Sequence, residues 1–165
     1  MPPHQAEGPL ALECHRRGSG GSLLILYVDA SALAKRYVDE SGSAGVRKLL
    51  ASGGVATSRL SEVEVASALA RRCRERTLTR RELDRALAAL RADIDSIALI
   101  ELAAEVAQTA VVLLARHPLR TGDSVQLASC LSLRRQVTEE VRFLGYDGRL
   151  NAAARAEGLA LMMAG

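Results

Sequence analysis

The sequence predicts an α/β fold, with a central, mostly parallel sheet of about four to five strands and helices on both faces. Three observations carry that expectation. Short apolar runs alternate with longer stretches of helical periodicity, the order that builds parallel sheets. The first run, Leu23–Val28, reads Leu-Leu-Ile-Leu-Tyr-Val, as in a strand buried on both faces. It breaks on one acid, Asp29, and a helical pattern starts at once. An acid at the carboxyl end of a central strand lies where open α/β sheets hold their ligands.

Residues 1–22 carry Pro2, Pro3, His4, His15, Arg16-Arg17 and a Gly-Ser-Gly-Gly-Ser run. They read as a flexible leader ahead of one domain over residues 23–165. The glycine run is no phosphate loop, because no Gly-Lys-Ser/Thr follows and the strand comes after it. Helical pattern then covers Ala30–Val38 and Ser43–Leu50, divided by Gly42. Val55–Thr57 is a short second strand. From Ser58, apolar residues at Leu60, Val63, Val65, Ala68 and Leu69 make an amphipathic helix. Thr79 with Glu82 three residues on is a capping box, opening a helix with Leu83, Ala86, Leu87 and Leu90 inward. Ser96–Leu102 is a third strand, Leu102–Arg116 a long helix stopped by Pro118, and Thr121–Arg134 another helix. Val141–Asp147 is a fourth strand ending on an acid, as the first does. Asn151–Glu157 is helical and ends at Gly158, and Leu159–Met163 makes a small last strand.

Composition narrows the function. The chain has 165 residues, enough for one domain with a real core. Its aromatic residues are Phe143, Tyr27, Tyr37 and Tyr146, a poverty that argues against recognition of single-stranded bases by an aromatic stacking platform. Net charge is +3 and the isoelectric point about 9.0, which permits a polyanionic partner without demanding one. Cys14, Cys73 and Cys130 are isolated, without a CxxC or a His/Cys ladder, so zinc is not indicated. Reduced thiols, no signal peptide and no apolar run near the ~20 residues of a membrane span make the cytoplasm the expected location.

Four acids stand out. Asp29 and Asp147 both close apolar strands and both precede helices. Either alone reads as a helix N-cap. Two at the same edge of a parallel sheet point to a shared site. On the helix after the second strand, Glu62 and Glu64 lie about 200° apart, at ~100° per residue, so only one can face that site. Periodicity does not choose between them. Asp123, with Gln126, Leu127 and Cys130, lies on the inward stripe of its helix, unusual for an acid.

Taken in order, "YVDASALAKRYV", "TSRLSEVEVASAL", "LRTGDSVQLAS" and "FLGYDGRLNAAARAEGL" resemble the four motifs of a PIN domain, and more narrowly of a VapC-like toxin ribonuclease. The resemblance covers about Leu24 to Leu161 and implies a PIN-like three-layer fold. It implies Asp29, Glu64, Asp123 and Asp147 as an acidic quartet, and so selects Glu64 over Glu62. Ser31, Ser58 and Thr121 match small polar positions that hold the acids in place. One departure concerns the fourth motif: Gly145-Tyr146-Asp147 stands where the family usually has Thr-x-Asp, which removes a hydroxyl.

Clustered carboxylates repel one another unless a cation joins them. Carboxylate oxygens suit Mg²⁺ or Mn²⁺, which orient and acidify a water and neutralise charge on a phosphodiester. In that reading Asp29 and Asp123 ligate directly, Glu64 ligates or positions the water, and Asp147 serves a second or weaker ion. Lys35, Arg36, Arg120 and Arg149 flank the motifs and are candidates for substrate phosphates. Six arginines against one acid between Ala70 and Arg81 read as a solvated face, and His117 as a loop residue. The expected activity is a metal-dependent endoribonuclease. The family implies a VapB-like antitoxin and a homodimer. A non-catalytic PIN-like module that binds RNA or a partner is the alternative. A phosphohydrolase or receiver-type domain ranks last, because no acid pairs next to Asp29 and no late Lys is present.

Overall fold

The structure, a computed structural model, describes residues 24–163, so the expected leader lies outside the described residues. Strand β1 (Leu24–Val28) is followed by helices α1 (Ala30–Ala34) and α2 (Ser43–Leu50). Then come β2 (Val55–Ser58), α3 (Leu60–Arg74), α4 (Arg80–Ile94) and β3 (Ala98–Ile100). The chain continues through α5 (Ala104–Arg116), α6 (Thr121–Gln136), β4 (Glu140–Leu144), α7 (Gly148–Ala156) and β5 (Ala160–Leu161).

The five strands form one sheet in the order β3-β2-β1-β4-β5, every pairing parallel. β1 is central. It pairs in register with β4 from Leu24↔Glu140 to Val28↔Leu144. Successive side chains of a strand point to opposite faces, and both faces of β1 are covered. Ile25 and Tyr27 join a core with α5, α6 and α7, while Leu26 and Val28 join a second core with α1 to α4. That is the three-layer arrangement the alternation predicts. Because all strands run the same way, the residues that follow β1, β2 and β4 emerge at one edge.

Some boundaries differ from expectation, each for a local reason. The first helix stops at Ala34 instead of Val38. Lys35, Arg36 and Tyr37 turn tightly, each N–H donating to the carbonyl three residues back. Their side chains are then held by Glu40 and by Asp93, far along the chain. β4 ends at Leu144, so Asp147 lies three residues beyond the strand, whereas Asp29 follows β1 directly. The turn into β2 requires glycine at Gly54. Its φ is +61°, and a Cβ there would sit 2.7 Å from the Leu24 carbonyl oxygen.

Candidate active site

Asp29 is the deepest of the four acids, with 4% of its surface exposed. Its N–H donates to the Leu144 carbonyl at 3.0 Å, which fixes it beside the end of β4. Its carboxylate caps α1, accepting from Ala32 N–H at 2.9 Å. The Ser31 hydroxyl donates to the same group, 2.9 Å from each oxygen. Burial pushes Asp29 up to about 6, opposed by these hydrogen bonds, with the nearby Glu64 charge adding to the rise.

Glu64, on α3, faces α6. Its Oε2 accepts from Gln126 Nε2 at 2.7 Å. Glu62 points elsewhere and pairs with Arg59 at 3.4 Å. Glu64 lies so close to the start of α6 that a Cβ at Gly122 would sit 2.3 Å from its Oε1. Glycine there is what lets the carboxylate approach. Burial raises the Glu64 pKa, the Gln126 hydrogen bond lowers it, and the charge of Asp123 raises it. Asp123, in the first turn of α6, has an oxygen 3.4 Å from the Arg120 N–H. None of these three acids forms an ion pair with Lys, Arg or His among the described residues.

Asp147 is set apart. Its carboxylate caps α7, accepting from Arg149 N–H at 2.8 Å and Leu150 N–H at 3.0 Å. Those backbone bonds, with the Arg149 and Arg120 charges, hold it below the usual carboxylate range. Asp29, Glu64 and Asp123 are thus linked through charge, and Asp147 flanks them beside two arginines. Among the described residues no three His, Cys, Asp or Glu side chains close to metal-ligating spacing. Like charges repel, and each acid has taken a hydrogen-bond donor of its own. The donor set still suits a hard cation, being carboxylate alone without thiol or imidazole.

A buried polar chain supports Glu64, and composition and spacing had not revealed its role. Tyr27 OH donates to Gln126 Oε1 at 2.9 Å, and Gln126 Nε2 also donates to Ser61 Oγ at 2.9 Å. Ser61 Oγ lies 2.7 Å from Thr57 Oγ1, which donates to the Val28 carbonyl. The signal available was Gln126 itself, a polar residue on an inward stripe. Of the small polar residues expected to hold the acids, Ser31 touches Asp29. Ser58 instead bonds Ser129, and Thr121 receives the Ser124 hydroxyl at its carbonyl.

Gly145 packs tightly at the site. A Cβ there would lie 2.8 Å from Phe143 Cε1 and 3.3 Å from Asp29 Cγ. The hydroxyl missing at this position leaves Asp29 with that of Ser31. Two of the cationic candidates are already engaged. Lys35 binds Glu40 and the Ser41 carbonyl, each at 2.8 Å, and Arg36 binds Asp93. Arg120 and Arg149 are exposed beside Asp147, with Arg149 Nε 4.0 Å from an Asp147 oxygen. His117, just after α5, bonds Glu157 at 2.8 Å, as suits a loop tie.

The PIN domain family matches residues 26–156. Ribonuclease VapC45 and Ribonuclease VapC49, from two Mycobacterium tuberculosis strains, are each 35% identical over 135 residues. Those matches cover 81% of this chain and 92% of each relative. Among solved structures, the Mycobacterium tuberculosis VapC20 toxin, described as cleaving the sarcin-ricin loop, superposes with a TM-score of 0.59 at 23% identity. It covers 78% of this chain and 94% of that one. A toxin–antitoxin complex from Klebsiella pneumoniae gives 0.56 at 15% identity, over 78% and 90% of the two chains. At those identities the two structures speak for the fold alone. Among the described residues no helix is long and apolar enough to cross a membrane.

Proposed function

Because the chain belongs to the PIN domain family, among its VapC-like toxin ribonucleases, we propose that it hydrolyses RNA phosphodiesters at the acidic edge of its sheet. The reaction is endonucleolytic, and the chain is the toxin of a toxin–antitoxin pair. The observation that supports the assignment of the site is that the Glu64 charge acts on Asp29 and the Asp123 charge on Glu64. The three acids come from three separate segments, and among the described residues none has a cationic side chain as an ion-pair partner.

Asp29, Glu64 and Asp123 would hold a divalent cation, Mg²⁺ or Mn²⁺, with Asp147 at its margin. When bound, the cation supplies counter-charge for the phosphodiester and lowers the pKa of water. The protein does the rest. Ser31 and the start of α1 hold the Asp29 carboxylate in one orientation. Gln126 holds the Glu64 carboxylate through its amide N–H. Arg120 and Arg149 receive phosphate oxygens on the Asp147 side. Gly145 leaves Asp29 its hydrogen bonds, so the departure in the fourth motif does not dismantle the site and does not favour a non-catalytic module.

A VapB-like antitoxin covering the acidic groove and a homodimer complete the reading. Val111 and Val112 expose apolar surface on α5 that a second copy would cover. The cytoplasm suits the free thiols of Cys73 and Cys130. The test is RNA cleavage by partner-free protein with Mg²⁺ or Mn²⁺. Asp29→Asn should lower the rate about 100-fold or more, as for loss of one strong electrostatic contact. Glu64→Gln should fall similarly, while Glu62→Gln should cut like the parent. Cleavage by Asp29→Asn at the parental rate would sink the proposal.

A further inference from the structure

We infer that Tyr146 is the platform on which one unpaired nucleobase of the substrate RNA stacks, beside the acidic edge of the sheet. The inference rests on the ribonuclease reading and deepens it. Of the four aromatic residues, Tyr27 and Phe143 are fully buried and stack on each other, with centroids 5.7 Å apart. Tyr37 donates its hydroxyl to Asp93 and packs on the second core. Tyr146 is the exception, a large ring with 40% of its surface exposed.

The ring is exposed yet fixed. The Lys35 ammonium sits 4.4 Å from its centroid, so one face is covered by a cation. Lys35 is itself held by Glu40 and the Ser41 carbonyl. The hydroxyl edge lies against Gly42, where a Cβ would approach the oxygen to 2.8 Å. Gly42 has φ +85°, a conformation and a closeness that favour glycine. The Tyr146 N–H donates to Ser31 Oγ at 3.1 Å, and Ser31 donates to Asp29. Two hydrogen bonds therefore tie the Tyr146 backbone to the deepest acid of the site, and Asp147 is the next residue.

A rigid aromatic surface left in water beside a site for phosphodiesters matches the needs of a flipped-out base. Stacking is tolerant of base identity but demands an unpaired base, so Tyr146 selects single-stranded or looped RNA. A single ring serves a single base, which fits a chain too poor in aromatics for an extended platform. The Lys35 ammonium behind the ring also fixes it without spending its own charge on the substrate.

The test uses the full chain and a random-sequence RNA pool, with cut ends sequenced. An oligonucleotide chosen from the pool is then made with an abasic site at each position flanking the cut. Tyr146→Phe should keep the parental profile. Tyr146→Ala should raise KM about tenfold or more with a smaller change in kcat, the scale of one base–aromatic stack. Tyr146→Leu keeps bulk against Gly42 without a ring, and should behave as the Ala variant. One abasic position should weaken the parent by the same factor and have no further effect on Tyr146→Ala. If Tyr146→Leu retains the parental KM, or if the abasic effect persists undiminished in Tyr146→Ala, the inference is overturned. Should the parent cut nothing, binding decides, with Asp29→Asn protein and an oligonucleotide carrying 2-aminopurine. Loss of its quenching on adding Tyr146→Ala supports the platform, and equal quenching overturns it.

Discussion

Asp29 shows at a single residue how capping and chemistry coexist. A carboxylate buried to 4% exposure is costly unless something opposes its charge. The Ser31 hydroxyl and the Ala32 N–H hold it in place, yet it still rises from 3.8 to about 6. The sign of the consequence follows from linkage. A folded-state pKa above the unfolded one contributes stability below pH 3.8 that is lost as pH rises through about 6. At neutral pH the metal-free protein therefore carries a charged Asp29 at a cost of at most about 3 kcal/mol. Asn also caps helices. Asp29→Asn should accordingly raise the melting temperature in chelator at pH 7.5, and the gain should shrink as pH falls from 6 toward 4. A gain that grew on acidification would contradict this account of the residue. The sequence showed Asp29 clearly, because an acid ending an apolar run is conspicuous. It did not show Ser31 as the donor that matters or Ser58 as one that does not, since both are small polar residues near strand ends.

The site is assembled from helix starts. α1, α6 and α7 each begin next to one of the acids, so the same geometry that satisfies helix N–H groups gathers negative charge. Both readings of Asp29 and Asp147, cap and site acid, are therefore compatible. α6 is buried along Ser124–Leu133, a run that includes Gln126. A helix buried all round has no polar face to mark its orientation, which is why its periodicity revealed little. Gln126 joins β1, α3 and α6 through Tyr27, Ser61 and Glu64. Gln126→Leu should cost about 2 kcal/mol in urea unfolding, because Tyr27 and Ser61 lose buried partners. It should also lower cleavage by freeing Glu64. Unchanged stability and cleavage would remove Gln126 from the account. The end of α1 was not legible for a different reason. Arg36 and Tyr37 meet Asp93 across 57 and 56 positions, a tertiary contact no local pattern encodes.

At the scale of the molecule, the alternation of strands and helices made the layered fold legible, and the four motifs in order made the family legible. The matched span, residues 26–156, lies within the stretch that the motifs marked. Part of the cationic charge serves the fold. Arg47, Arg59 and Arg72 pair with Asp39, Glu101 and Glu40 at element junctions. Exposed pairs of this kind contribute little stability one by one, but they occupy cations that a count of charges would assign to substrate. The central claim is that Asp29, Glu64 and Asp123 share one divalent cation. The direct measurement is Mn²⁺ binding to the intact, partner-free chain by titration calorimetry, with Asp29→Asn, Glu64→Gln, Asp123→Asn and Glu62→Gln in parallel. The first three should each weaken binding about tenfold or more, by loss of an oxygen ligand, and Glu62→Gln should bind as the parent does. Parental affinity in Asp29→Asn and Asp123→Asn would contradict the shared site.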